Sequence, residues 1–284
     1  MRVLVTGAGG QLGGTIVRRL GRAHEVIALT RAGLDITRHD DVQRTVHASR
    51  PEAIVNCAAY NAVDAAEDEA IAALACNALA VRSLARAAIE SGSALVHYST
   101  DFVFDGEAGE PYDETAAPAP RSVYGQSKLL GEWFAADAPR HYVLRVASLF
   151  GGEARHGSID RIADALRRGE PARVFTDRIV SPAYVEDVAD ATARLLEDAV
   201  PPGVYHCVNS GHASWSEVGA EIARLLGVPA ALDPVSAREV AFRAPRPRFC
   251  ALSNARLRAA GIEMPTWQEG LGRYLRSQGR REKG

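Results

Sequence analysis

Five short apolar runs in the first half of the chain leave few folds open: RVLVT (2–6), EVIALT (25–30), EAIVNCA (52–58), SALVHYST (93–100) and HYVLRV (141–146). Each is continuous rather than alternating, which is the pattern of a strand buried on both faces. Helical patterns near 11–21, 39–49, 66–91 and 124–136 separate them. Strands alternating with helices imply right-handed βαβ units and a parallel, doubly wound α/β sheet. After Gly151 the rhythm loosens into a helix near 158–168, a strand near 172–175, a helix near 186–198, the strand GVYHCV (203–208), a helix near 215–227 and a last helix near 266–277. Pro and Gly cluster at 201–203 and 245–247 and mark linkers. The tail RSQGRREKG is charged and poor in apolar residues, and reads as frayed.

The first strand runs into VLVTGAGGQLGGTIVRRL, which sets Gly7, Gly10 and Gly13 at the strand-to-helix turn. Only backbone without side chains turns this tightly and touches a pyrophosphate, which then sits on the helix N-terminus. In the first βα turn of a doubly wound pattern these glycines point to a dinucleotide. The expected division is therefore a Rossmann-type NAD(P)-binding unit over 1–150, to which roughly 175–210 returns. A smaller α/β substrate-binding unit takes up most of 151–284.

SVYGQSKLLGE (122–132) places Tyr124 and Lys128 four residues apart, on one face of a helix. A hydride moved to a carbonyl needs a proton to follow it, and a free tyrosine with a pKa of about 10 is a slow partner near neutrality. A neighbouring ammonium is expected to lower that pKa. Ser99 and Thr100, at the end of the fourth strand, offer a hydroxyl to the same carbonyl oxygen.

TGAGGQLG (6–13), DIT (35–37), VNCAAYNAVDAAE (55–67), HYSTDFVFDG (97–106), VYGQSKLLGE (123–132), GVYHCVNSGHASW (203–215) and RPRFCAL (246–252) together resemble the extended short-chain dehydrogenase/reductase family, and within it the dTDP-4-dehydrorhamnose reductases. The resemblance implies a catalytic trio of Thr100, Tyr124 and Lys128. It implies cofactor contacts at Gly7, Gly10, Gln11, Leu12, Gly13, Asp35, Ile36, Ala58, Ala59 and Tyr60, with Tyr124 and Lys128 also touching the nicotinamide end. It further implies a nucleotide-sugar substrate, NAD(P)H-dependent reduction of a 4-keto-6-deoxy sugar, and a homodimer.

Two departures fall where that substrate would lie. The family's Arg-Thr-Ser-Trp run is here RVASLF, with Leu149 read in place of the Trp, and the family's DQxGxPT is here DRIVSPA (177–183), carrying Arg178. Asp101 and Phe102 complete the expected substrate wall. Phe102 also stands where the sugar dehydratases carry a Glu, and Phe cannot abstract a proton. Two alternatives stay open: a nucleotide-sugar 4-epimerase, and a non-catalytic subunit resembling the methionine adenosyltransferase regulatory subunit. After the second strand, Thr30 and Arg31 stand where an NAD-specific fold offers an acid, so NADPH is the expected cofactor, with NADH tolerated.

The formal charge of −2 gives no electrostatic case for nucleic acid or an anionic membrane. No apolar run is expected to reach the roughly 20 residues of a membrane helix. The four cysteines are far apart and read as reduced thiols of a cytoplasmic protein. The eight histidines show no metal-ligand spacing, and His97 and His206 read as structural. Asp64 and Glu67 read as helix N-terminal acids, Asp105 as a residue near the substrate, and Trp133 and Phe134 as core or dimer-interface residues.

Overall fold

The computed structural model describes residues 1–153, 157–198 and 200–281. The last three residues of the charged tail lie outside the described residues. Six parallel strands form the main sheet: β1 (Arg2–Thr6), β2 (Glu25–Leu29), β3 (Ala53–Asn56), β4 (Ala94–Thr100), β5 (His141–Val146) and β6 (Gly203–His206). Their spatial order is β2-β1-β3-β4-β5-β6. The chain first steps outward from β1 to β2 and then continues on the other side of β1. The order therefore reverses between β1 and β3, and a crevice opens there beyond the carboxyl ends of the strands.

The continuous apolar runs behave as their pattern demands. Val3, Val5, Val55, Val96 and Leu144 face one core, with Ile16 and Leu20 of α1 (Gln11–Leu20). Leu4, Ile54, Leu95 and Val143 face the other, with Val42 and Val46 of α2 (His39–Ser49) and with Val81 and Leu84 of α3 (Ala70–Ser91). Successive strand residues point to opposite faces, so both faces must be apolar. Helix α4 (Val123–Ala135) covers the second face, through Ala135. After α5 (Ser158–Arg167), α6 (Val185–Glu197) returns to cover the first face through Val185, Val188 and Leu195.

A third core belongs to the later part of the chain, where Ile159, Leu166, Val174, Ile222, Trp267 and Leu271 pack together. These come from α5, from Ala172–Phe175, from α7 (Trp215–Leu226) and from α8 (Trp267–Arg281). Ile179–Val180 pairs with Ala213–Ser214 and Phe249–Cys250 in a small sheet of this part. Within the stretch expected to return to the first unit, it is α6 and β6 that do so.

Four expectations change here. The tail does not begin at 276, because α8 continues to Arg281. Helix α3 is long and apolar enough by length and composition to cross a membrane. Its alanines raise the mean hydropathy, and Val81, Leu84, Ala85 and Ala88 use that apolar character inside the core. Asp64 and Glu67 do not cap α3. Asp64 accepts from Ala244 N and from Arg246 Nη2, at 3.0 and 2.7 Å, while Glu67 Oε1 accepts from Val123 N at 2.9 Å. Trp133 is 60% exposed and so is no core residue.

Helix α3 carries a π-turn at Ala75–Leu79, a feature often placed at functional sites. It presents the buried Asn77, whose side chain bonds both backbone groups of Tyr60 and the hydroxyl of Ser127 on α4. Gly131 of α4 lies against the same turn: a Cβ there would stand 2.1 Å from the Asn77 carbonyl oxygen. Overpacking of this kind typically costs ~1–3 kcal/mol. Gly131→Ala should lower the unfolding free energy by about that amount in urea denaturation, with an unchanged m-value.

Candidate active site

A cleft of about 500 Å³ opens beyond β1, β3, β4 and β5. Its walls combine Gly10, Gln11, Leu12 and Gly13 with Thr100, Asp101, Phe102, Tyr124 and Lys128, and with Leu149 and Arg178. The glycine turn, the expected trio of Thr100, Tyr124 and Lys128, and Leu149 and Arg178 thus share one cavity.

The floor is held by a polar row that sequence patterning does not reveal. Thr6, Asn56 and His97 lie side by side on β1, β3 and β4. Thr6 Oγ1 donates to Asn56 Oδ1 at 2.7 Å, and Asn56 Nδ2 meets His97 Nδ1 at 3.1 Å. Asn56 Oδ1 also accepts from Ala58 N at 3.2 Å, so the loop after β3 hangs from the same side chain. Burial drives the His97 pKa well below its usual value, consistent with a neutral structural ring. His206 is also neutral, pushed down to about 3 by burial and the Arg145 charge.

The residues fit a dinucleotide at the glycine turn. Gly7 has φ +67°, and a Cβ there would stand 2.5 Å from Ala58 N; one at Gly13 would stand 2.1 Å from Gly7 O. The turn therefore closes on itself and on the loop after β3 only without side chains. Helix α1 starts from Gly10 with no side-chain cap, which leaves its first amides to an anion. Leu12 is largely a core residue, and Gln11 Nε2 donates to Gly151 O at 2.8 Å. Ala58 and Ala59 line the cleft. Tyr60 is turned instead toward Glu69, to which its hydroxyl donates at 2.9 Å.

Arg31 and Asp35 lie elsewhere, in a cavity of about 490 Å³ with Arg38, Asp41 and Arg44. The glycine turn touches the strand leading there, since Ala8 N donates to Leu29 O at 3.1 Å. Asp35 closes a local turn by accepting from Thr37 N and Oγ1, which with the charges of Arg31 and Arg38 keeps its pKa low. Ile36 is buried in the core below.

Helix α4 delivers the reactive pair. Ser122 caps it by accepting from Gly125 N at 3.1 Å. Tyr124 and Lys128 are only 9% and 3% exposed, and Phe102 stands edge-on to the Tyr124 ring at 5.7 Å. The Lys128 ammonium donates to the Tyr98 carbonyl, and burial holds its pKa down to about 8. The expectation that Lys128 lowers the Tyr124 pKa is not met. Burial pushes the phenol up to about 12, opposed by a hydrogen bond with Thr100 and assisted by the Asp101 charge. Tyr124 is therefore a protonated phenol at neutral pH, the form that gives a proton away.

Thr100 Oγ1 donates to Asp101 Oδ1 at 3.0 Å and accepts from Phe102 N at 3.2 Å. Burial raises the Asp101 pKa, against hydrogen bonds from Thr100 and Cys250 and the charge of Arg178. Asp105 is not part of the cleft wall; it accepts from the Tyr112 hydroxyl at 2.6 Å and shapes its own loop.

Counted from Arg145, the fourth position of the family run is Ser148, not Leu149. Ser148, at φ +44°, therefore stands where the family's aromatic would be, and both residues line the cleft. Trp215, not singled out from sequence as a site residue, lines it from the opposite part of the chain. With Arg178 and Ser158 it also borders a second cavity of about 330 Å³ that contains Phe175, Arg161 and Arg173. Arg178 thus stands at the junction, its guanidinium 5.8 Å from the Phe175 ring and its buried Nε without a partner. Among the described residues no cluster of His, Cys, Asp and Glu could hold a metal ion.

The sequence matches the model of the RmlD substrate binding domain over residues 1–279. It is 36% identical to the spore coat polysaccharide biosynthesis protein SpsK of Bacillus subtilis, over 98% of each chain. It is 35% identical to the dTDP-4-dehydrorhamnose reductase of Burkholderia thailandensis, over 97% of this chain and 98% of that one. The crystal structure of the Bacillus anthracis dTDP-4-dehydrorhamnose reductase in complex with NADP superposes with a TM-score of 0.92 at 35% identity, covering 97% of this chain and 99% of that one. A match of this extent, on a cleft built in this way, makes the chain a member of the RmlD family of extended short-chain dehydrogenases/reductases.

Proposed function

We propose that this chain reduces a nucleotide-linked 4-keto-6-deoxy sugar with NADPH. The observation that carries the reading is the meeting, in one cleft, of an uncapped glycine-flanked helix N-terminus with Thr100, Tyr124 and Lys128. Relatives named dTDP-4-dehydrorhamnose reductase and the NADP complex of the Bacillus anthracis protein support it. When bound, the nicotinamide supplies the hydride that reaches the keto carbon. Thr100 orients the keto oxygen by hydrogen bonding, Tyr124 passes its phenolic proton to that oxygen, and Lys128 holds the ribose end of the cofactor. The product is the corresponding alcohol.

The substrate wall departs from the usual rhamnose-reductase pattern at Ser148 and Arg178, which supports a sugar or nucleotide other than dTDP-4-dehydrorhamnose. The exposed side chains Ile71, Leu79, Ile89 and Trp133 lie on α3 and α4, the helices through which a homodimer contact is proposed. The four free thiols suit a reducing, cytoplasmic setting.

Three measurements test this reading. Tyr124→Phe removes the proton donor and should lower kcat for a nucleotide-linked 4-keto sugar by ~10²–10⁴-fold; wild-type turnover would remove Tyr124 from the reaction. A charge-assisted hydrogen bond contributes roughly 1.5–3 kcal/mol, or about 10- to 100-fold. NADPH should therefore be preferred over NADH by that factor, and Arg31→Ala should abolish the preference while sparing NADH. By the same magnitude Arg178→Gln should raise KM about 10- to 100-fold with kcat little changed. A fall in kcat at constant KM would instead assign Arg178 to the orientation of Asp101.

A further inference from the structure

Tyr124 and Lys128 continue, after one more turn of α4, into Glu132, so the three share one helix face. Glu132 is 4% exposed and none of its hydrogen bonds goes to solvent-facing groups. Oε1 accepts from the Ser99 hydroxyl, next to Thr100, and from Arg145 Nε at 2.9 Å; Oε2 accepts from Arg145 Nη2 at 2.7 Å. Arg145 lies on β5, its guanidinium 5.0 Å from the Phe104 ring, with Nη1 3.4 Å from His206 Nε2 on β6. The buried ion pair of this network is Glu132 with Arg145, and Lys128 lies one helical turn before Glu132 on α4. A stabilising role alone does not call for such charges, because apolar side chains of similar volume commonly serve a core as well or better.

We propose that Glu132 is a positioning residue of this site, which through Ser99 fixes the strand end bearing Thr100 and balances the charge of Lys128 on the same helix face. The inference rests on the nicotinamide reading given above. The groups facing Lys128 come from every element around it: Glu132 on α4, Cys57 after β3, Cys76 in the π-turn of α3 and His97 on β4. Burial pushes both thiols up, so they stay neutral at working pH, and His97 is neutral as well. Glu132 is thus the charge that opposes the desolvation of Lys128, whose pKa lies at about 8. The sign follows: the ammonium is present below that value and is lost as pH rises through it, and removal of Glu132 moves the loss to lower pH.

The test is NADPH affinity, by fluorescence titration across pH, together with the pH profile of kcat for the nucleotide-linked 4-keto sugar that the wild type turns over best. Glu132→Gln leaves Arg145 buried without its partner, so the double variant Glu132→Gln/Arg145→Met is measured beside it. A nearby opposite charge favours the charged form of a group, so its removal lowers the pKa of an ammonium. Affinity in the wild type should fall through about pH 8, and in both variants the midpoint should lie at lower pH. A double variant that unfolds cooperatively and keeps the wild-type midpoint would overturn the proposal. The binding arm needs no sugar, so a wild type that binds NADPH with this pH dependence but turns over no keto sugar would sink the substrate reading and leave Glu132 in its role.

Discussion

The seating of α4 on the end of β4 is the contact on which the cleft depends. Three anchors fix it: Glu67 to Val123 at the helix start, Asn77 to Ser127 in the middle, and Glu132 to Ser99 and Arg145 beyond. Helix α4 carries Tyr124 and Lys128, and β4 carries Thr100, so the anchors set the distance between the Tyr124 phenol and the Thr100 hydroxyl. Each anchor is buried or partly buried, where a lost partner costs more than the bond itself contributes. The helix is thereby held in one place without any cofactor contact.

Desolvation governs the chemistry of that site more than charge pairing does. It keeps Tyr124 protonated, lowers Lys128, raises Asp101 and silences His97. For a reductase this polarity is the useful one, since the phenol must give a proton rather than take it. Lys128 has its ammonium tied to the Tyr98 carbonyl, on the side where the proposed reaction places the cofactor.

The strands and the glycine turn were legible because their signals are local: continuous apolar runs fit only strands buried on both faces, and glycines fit only a closed turn. The Tyr124–Lys128 pair was legible because helical spacing alone puts both on one face. The electrostatics of that pair were not, because burial depends on Phe102 and the strands packed around it. The Thr6–Asn56–His97 row needed strand register, and the partners of Asp64 and Glu67 lie far along the chain, at Arg246 and Val123. Trp215 reaches the cleft from a strand-to-helix turn more than sixty residues past β5, through packing that no pattern within the first unit announces. Ser148 was open to the sequence by counting from Arg145, and the structure adds that the backbone there is left-handed, at φ +44°.

Transfer of deuterium tests the central claim most directly. NADPH labelled at the transferable C4 position would be incubated with dTDP-4-dehydrorhamnose and related nucleotide-linked 4-keto sugars, and the sugar product weighed by mass spectrometry. A reductase of the kind described here yields an alcohol carrying one deuterium at the former keto carbon, with one NADPH oxidised per product. A sugar product formed without label, or with no net oxidation of NADPH, would contradict it and point to an epimerising site instead.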